Sequence, residues 1–76
     1  MLLNELLNRA QERRLPKPHD RRRIRLDAGL TQEELAHFLG VNRGTLARWE
    51  SGSRSPRKEL RTAYAVVLRQ LDDGDQ

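Results

Sequence analysis

Two arginines in the middle of the chain, Arg43 and Arg48, are the residues best suited to recognise a ligand. A helical wheel at about 100° per residue places them on one arc with Gly44 and Ala47. The two small residues would let this arc approach a groove closely, and arginine binds the N7 and O6 atoms of guanine bidentately. Arginines are also ordinary on solvated helix faces. The spacing alone therefore leaves base recognition and a plain exposed face both open.

The helix that would carry this arc is predicted over about residues 43–50. Leu46 and Trp49 fall together on the opposite arc, which gives the helix an inward, apolar side. Thr45 and Glu50 lie on the flanks between the two sides. The helix is thus expected to pack on a core through one side and to present the other.

A second short helix is predicted immediately before it. Thr31 followed by Glu34 forms a capping box at its start. The helix ends near residues 38–39, and Gly40 lies where the chain must turn sharply, since glycine tolerates a positive φ. Asn42 is then a good N-cap for the next helix. The residues predicted to face the core are Leu35, Ala36, Leu39 and Val41.

The charge of the chain is concentrated around these helices. Fifteen Lys and Arg against eleven Asp and Glu give a net charge of +4. Residues 43–61 hold six basic and two acidic residues, which is also +4, whereas the end of the chain carries Asp72, Asp73 and Asp75. A local basic patch is typical of a phosphate-binding surface, although a solvated basic face has the same composition.

The first residues predict an amphipathic helix over about 2–14. Its apolar side is a leucine stripe, which consists of Leu2, Leu3, Leu6 and Leu7. A helix this short is marginal alone, so the stripe must be covered, and the same domain is the expected cover. A second copy of the chain is the alternative. A membrane-surface role is disfavoured because the polar side carries both charge signs, and the segment has no basic leader typical of a secretion signal.

Two further helices are expected. One runs over roughly residues 18–28, with Pro18 in its first turn and Gly29 at its end. The other begins with Ser55 as its cap and Pro56 at its first position. The inward stripe predicted for this last helix is Leu60, Ala63, Tyr64, Val67 and Leu71, widened by Val66 and Leu68. Its acidic end is expected to fray, because the helix dipole disfavours anions there.

The motif of the central helices comprises LTQEELA at residues 30–36, LGVNR at 39–43 and WESG at 49–52. It resembles the phage-lambda-repressor-like helix-turn-helix family, also called the Xre type, over roughly residues 18–68. The resemblance implies an all-α fold, a compact bundle of about five helices with an extra N-terminal amphipathic helix. It also implies binding to double-stranded DNA, with the second helix of the motif in the major groove.

The resemblance assigns roles to individual positions. Together with the wheel, it gives the base contacts as Arg43, Gly44, Ala47 and Arg48. It gives the phosphate contacts as Gln32, Asn42, Thr45, Ser51, Arg54, Arg57 and Lys58, with Gln32 also bracing the recognition helix. It pairs Arg25 with Glu50, a flank position where an unpaired charge would be unfavourable. This pair is therefore a structural one.

Two positions depart from the family pattern. Arg21 stands where an apolar residue is common, so that end of the core is expected to be altered, with the leucine stripe packing nearby. Gly44 removes a side chain that often reads a base, which weakens recognition at that position.

Other classes of function find less support in the sequence. His19 and His37 have no obvious metal-ligand partners, cysteine is absent, and the glycines lack the lysine of a phosphate loop. We therefore expect neither an enzyme nor a cofactor or metal site. A protein-interaction module such as an antitoxin or phage regulator, acting through the leucine stripe, stays open beside DNA binding.

The domain organisation follows from these elements. The N-terminal helix spans 1–15, the DNA-binding domain 16–72 and an acidic tail 73–76. No apolar run reaches the ~20 residues of a membrane span. We expect a cytoplasmic transcriptional regulator, bacterial or phage-encoded, that binds DNA as a homodimer and acts as a repressor.

Overall fold

The computed structural model describes residues 2–12 and 14–73. In this part of the chain the regular structure is entirely helical, which confirms the predicted fold class. The five helices are α1 (Leu3–Glu12), α2 (Pro18–Asp27), α3 (Gln32–Leu39), α4 (Arg43–Ser51) and α5 (Lys58–Asp73).

One core joins α2, α3, α4 and α5. Its buried members are Ile24, Leu35, Ala36, Leu46, Trp49, Tyr64 and Leu68. The rings of Trp49 and Tyr64 pack at a centroid distance of 5.0 Å. Leu39 and Val41 are half-buried against the same core, as their positions in the sequence predicted. This packing fixes α4 with its apolar side inward.

Local interactions define where α3 begins and ends and where α4 begins. Thr31 and Glu34 form the capping box, with the Glu34 backbone N–H donating to Thr31 Oγ1 at 3.0 Å and the Thr31 N–H donating to Glu34 Oε1 at 2.9 Å. Gly40 ends α3 with φ 75°, a left-handed conformation that favours glycine. Asn42 Oδ1 then accepts from the Thr45 backbone N–H at 2.7 Å and caps α4. The predicted helix-turn-helix geometry is present.

The start of α5 differs from the sequence prediction. The helix begins at Lys58, so Ser55 is not its cap and Pro56 is not its first residue. Pro56 is buried in the loop before the helix. Lys58 has φ 50°, a positive φ that interrupts a continuous helix. A helix running back from Lys58 would have to give up this turn and the buried position of the proline ring.

The inward face of α5 is also rotated from the predicted one. Tyr64, Ala65 and Leu68 are buried, whereas Leu60 is 39% exposed and Ala63 is exposed. The prediction therefore placed Tyr64 and Leu68 correctly and was wrong for the other two. The difference arises because the sequence shows a broad apolar side, and contact with α2 and α3 decides which part of it is covered.

The leucine stripe is not covered by its own domain. Helix α1 contacts α5, but Leu2, Leu3, Leu6 and Leu7 remain between 55% and 70% exposed. The expectation that the same domain covers the stripe is wrong for the isolated chain. Leu15, in the connection after α1, packs against the core instead. The acidic tail predicted to fray spans residues 73–76; Asp73 is the last residue of α5, and residues 74–76 lie outside the described residues.

Candidate nucleic-acid interface

The side of α4 that faces away from the core is the candidate interface. Arg43, Gly44 and Arg48 are exposed and Ala47 is half-buried, and we call these four residues the α4 arc. Leu46 beneath them is fully buried. Because the core holds the opposite side of the helix, the backbone of the arc is fixed while its arginine side chains stay accessible. The surface is small and basic at the place where the wheel predicted it.

A polar chain links the arc to the interior. Arg43 Nη1 donates to Gln32 Oε1 at 3.1 Å, and Gln32 Nε2 donates to Glu50 Oε1 at 3.0 Å. Arg25 holds the same carboxylate, with Nε donating to Oε2 at 2.6 Å and Nη2 donating to Oε1 at 3.1 Å. The amide of Gln32 thus joins an exposed arginine to a buried ion pair. The family resemblance predicted that Gln32 braces the recognition helix, but it did not name Arg43 or Glu50 as its partners.

The ion pair of Arg25 and Glu50 also holds the connection between α2 and α3. The side chains of Arg25 and Glu50 are 6% and 3% exposed. Arg25 Nη1 donates in addition to the Leu30 carbonyl at 2.7 Å, at the connection between α2 and α3. One guanidinium therefore bridges α2, the α2–α3 connection and the last turn of α4. Such a bidentate, hydrogen-bonded arrangement offsets the desolvation of both charges.

Three of the predicted phosphate contacts follow α4 in the chain. Arg54 and Arg57 lie exposed in the loop after α4, and Lys58 is exposed at the start of α5. A cleft on this side is lined by Thr45, Arg48, Trp49, Arg54 and Ser55. It brings one arginine of the arc next to one of the loop. Arg48 and Arg54 together make this cleft basic, which is the character that a phosphate-binding surface requires.

Besides Gln32, two of the predicted phosphate contacts already have partners within the chain. The side-chain oxygen Oδ1 of Asn42 caps α4, so the side-chain nitrogen of the same amide is the group left to donate to a phosphate. The hydroxyl of Ser51 donates to the Arg48 carbonyl at 3.1 Å and lies 3.0 Å from the Ser53 hydroxyl. These contacts close the C-terminal end of α4 and connect it to the basic loop.

A family model described as helix-turn-helix matches residues 22–69. The match covers the whole of the α3–α4 pair and most of α2 and α5. The chain belongs to the helix-turn-helix family of the lambda-repressor, or Xre, type. It is therefore a DNA-binding helix-turn-helix regulator. Searches among curated proteins and among solved structures found no match.

Arg21 shows how this helix-turn-helix chain accommodates its departure from the family pattern. The residue is buried, with Nε donating to the Pro16 carbonyl at 2.7 Å and Nη1 donating to the Trp49 carbonyl at 2.9 Å. Burial lowers the pKa of its guanidinium. The core is altered at this end, as expected. Two hydrogen bonds to backbone carbonyls stabilise the buried guanidinium. The leucine stripe, which was predicted to pack nearby, is exposed. The signal in the sequence was the spacing from Arg25, one helical turn later on the same side of α2.

Gly44 is the position of the α4 arc that has no side chain to contact a base. A Cβ at Gly44 would lie 3.4 Å from Asn42 Oδ1, the oxygen that caps α4. Arg48 Nη1 lies 3.7 Å from the same point, so the arginine side chain extends over the glycine.

In the described residues, no helix has the length and apolar character that crossing a membrane requires.

Proposed function

We propose that this protein is a sequence-specific transcriptional regulator that inserts α4 into the major groove of double-stranded DNA. The α4 arc carries the proposal, because it combines two exposed arginines with small residues at 44 and 47 on a rigid helix. Arg43 and Arg48 read base edges, preferably the N7 and O6 of guanine. Gly44 and Ala47 let the helix backbone approach the bases, and the floor of the groove comes within reach of the arginines.

The polar chain behind the arc supports recognition by Arg43. Its guanidinium has several donors, and one of them is held by Gln32. The remaining donors point to a base with less freedom than an unrestrained side chain has, so less conformational entropy is lost on binding. Gln32 itself contacts a phosphate at the edge of the groove. Because it also bonds Glu50, it ties the position of Arg43 to that of the buried ion pair.

Arg54, Arg57 and Lys58 bind the phosphate backbone together with Asn42, Thr45 and Ser51. Contacts of this kind set the position and orientation of the protein, and the arc sets its sequence preference. They also make affinity depend on salt, since each neutralised phosphate releases counterions.

The regulator acts as a dimer on two half-sites. One small module makes few contacts, whereas two modules about one helical turn apart place both α4 helices in successive turns of the same groove. A bound dimer that overlaps a promoter blocks polymerase, so repression in a bacterial or phage-infected cytoplasm is the simplest outcome.

Selection of bound sequences from a random pool of duplex DNA tests this function. The full chain should enrich a short palindromic motif with half-sites about one helical turn apart. The Arg48→Ala variant should enrich a motif that has lost its preference at one position of each half-site. Failure of the full chain to enrich any sequence would contradict specific DNA binding.

The exposed leucine stripe favours a second candidate, a module that mainly binds another protein, such as an antitoxin or phage regulator. Three exposed leucines on one short helix, with a fourth just before it, form an apolar patch of the kind that marks interaction sites. The selection separates the candidates, because a module of this kind without a role on DNA yields no motif.

A further inference from the structure

The last turn of α4 is held by Arg21, a residue of another helix. Arg21 Nη1 donates to the Trp49 carbonyl at 2.9 Å. A continuing helix would fill this acceptor with the backbone N–H of Ser53, but that N–H donates to Ser51 Oγ at 3.3 Å. Gly52, between the two serines, has φ 83°, a left-handed conformation that ends the helix. The guanidinium of Arg21 therefore caps a carbonyl that the end of the helix leaves open.

The charge and the surroundings of this cap both suit the end of a helix. The carbonyl end of a helix carries partial negative charge, so a cation there is stabilising. Only 8% of the surface of Arg21 is exposed, and a hydrogen bond shielded from water is electrostatically stronger. Its Nε donates at 2.7 Å to the carbonyl of Pro16, in the connection before α2. One side chain thus ties that connection to the C-terminal end of α4.

Arg25 holds the neighbouring residue of α4 in a different way. It lies one turn after Arg21 on the same side of α2. Arg25 binds the side chain of Glu50, whereas Arg21 binds the main chain of Trp49. A helix held at one point can rotate about that point, and a second contact from the same neighbouring helix removes this freedom. The two arginines of α2 therefore fix the direction of α4 as well as its position.

The backbone of α4 also ends directly against α2. A Cβ placed on Gly52 would lie 3.1 Å from Cγ of Pro18, which is closer than carbon atoms pack at their optimal separation. Arg48, the last residue of the α4 arc, immediately precedes Trp49 in the chain. Any displacement of the Trp49 carbonyl is therefore passed through the rigid helix to the arc.

We infer that Arg21 is a positioning residue for DNA recognition, which acts by capping α4 and does not touch DNA. Stability alone does not account for a charge at this place, because an apolar side chain of similar volume is often as stabilising as a buried ion. Recognition is more demanding, since a binding constellation must be held within about 0.5 Å of its productive geometry. The inference deepens the proposed function and rests on it, because the role of Arg21 is defined by the bases that α4 reads.

Binding of the full chain to the duplex site that it selects tests this role. Arg21→Met fills a similar volume without donors and should lower affinity for that site by about tenfold, the loss expected for one hydrogen bond to a charged group. The dependence of affinity on salt should not change, because a buried guanidinium neutralises no phosphate. Arg21→Lys keeps the charge but replaces the guanidinium fork by one ammonium, so its affinity should lie between the two. The temperature is chosen so that every variant is fully folded, and lower stability by itself then leaves affinity unchanged.

Ile24→Val is the matched control. Ile24 is buried on the same helix, three positions after Arg21, and loss of one methyl group should lower the melting temperature without changing either carbonyl contact. Its affinity for DNA should equal that of the natural chain. The resonance of the Trp49 carbonyl carbon, recorded without DNA, should shift in Arg21→Met and stay in place in Ile24→Val, since it reports the hydrogen bond directly.

The outcomes separate this inference from the proposed function. An Arg21→Met chain that binds the selected site as tightly as the natural chain would overturn the inference, as would an equal loss of affinity in Ile24→Val. A Trp49 carbonyl resonance that does not move in Arg21→Met would overturn it as well. A natural chain that selects no sequence would instead contradict the proposed function, and that result is obtained before any variant is compared.

Discussion

The guanidinium of Arg25 grips the carboxylate of Glu50 with two hydrogen bonds, of 2.6 and 3.1 Å, between α2 and the last turn of α4. Gln32 donates to the same carboxylate from the start of α3. Three helices of the motif thus meet at one buried carboxylate. The angle at which the α4 arc faces outward depends on this contact as well as on the apolar core.

Glu50→Ala should destabilise the fold strongly. It leaves the buried guanidinium of Arg25 without its anion, which in comparable sites costs about 3–5 kcal/mol. Thermal unfolding followed by circular dichroism should show a melting temperature lower by about 10 °C or more. Glu59→Ala is the control, because Glu59 is exposed and its loss should change stability by less than about 1 kcal/mol. Equal melting of the two variants would contradict the role of the pair.

Gln32→Ala should weaken DNA binding through Arg43. The substitution removes the acceptor that orients the Arg43 guanidinium, and one such hydrogen bond contributes about 1 kcal/mol. Affinities of the single and double variants for the selected site form a cycle, in which Gln32→Ala has less effect once Arg43→Ala is present. Strictly additive effects would show that the two residues act independently on DNA.

Arg48→Ala should lower affinity for the selected site by ~1–3 kcal/mol and relax specificity at one base pair of each half-site. The measurement compares binding to the selected site with binding to single-base variants of it. Arg69→Ala serves as the control, because Arg69 lies near the far end of α5, beside Arg14 and Asp72. An equal loss for every sequence would reduce Arg48 to a phosphate contact.

Arg57→Ala should lower affinity almost uniformly across sequences, since a backbone contact carries no base preference. The slope of the logarithm of affinity against the logarithm of salt concentration should become shallower by about one unit per module. Titrations at several salt concentrations measure this slope. A slope equal to that of the unaltered chain would exclude Arg57 from the phosphate contacts.

Tyr64→Phe should make the fold more resistant to alkali. The Tyr64 hydroxyl is buried and has no hydrogen-bond partner among the described residues, so its removal should raise stability at neutral pH by about 1 kcal/mol. Burial, and next the nearby Glu50, raise the pKa of this phenol above its ordinary value of 10.0. The folded state therefore holds the proton more tightly than the unfolded state.

The sign of the pH effect follows from that difference. The contribution of Tyr64 is fully present below the unfolded pKa of 10.0 and is lost as the pH rises toward the folded pKa. The advantage of Tyr64→Phe in urea unfolding should thus be constant up to pH about 9 and widen near pH about 11. An advantage that does not grow with pH would contradict a buried, un-ionised phenol.

Short-range signals in the sequence were sufficient for the central motif. The capping box at Thr31 and Glu34, the turn at Gly40 and the cap at Asn42 each depend on residues within four positions of one another. The wheel of α4 likewise needs only its own period to separate Leu46 and Trp49 from the arc. Such features were predictable because their interactions form within one helical turn.

Long-range contacts were predictable only in part. The pairing of Arg25 with Glu50 was expected from the family resemblance, whereas the two carbonyl contacts of Arg21 and the link between Gln32 and Arg43 were not. A polar side chain on a helix has many partners within reach once the chain folds, and its type alone does not select one. The start of α5 at Lys58 was missed for the same reason, since burial of Pro56 depends on the rest of the domain.

The sequence by itself determined that the chain is helical, where α3 and α4 lie, and which arc of α4 is basic and small. Only the tertiary structure decided which of the apolar faces are covered. Leu68 and Leu6 both lie on the apolar sides of amphipathic helices, yet one is fully buried and the other is 55% exposed. Periodicity shows that a face is apolar, whereas its cover depends on the path of the chain. Here Leu15, which follows α1, packs against the core, while the leucines of α1 stay exposed.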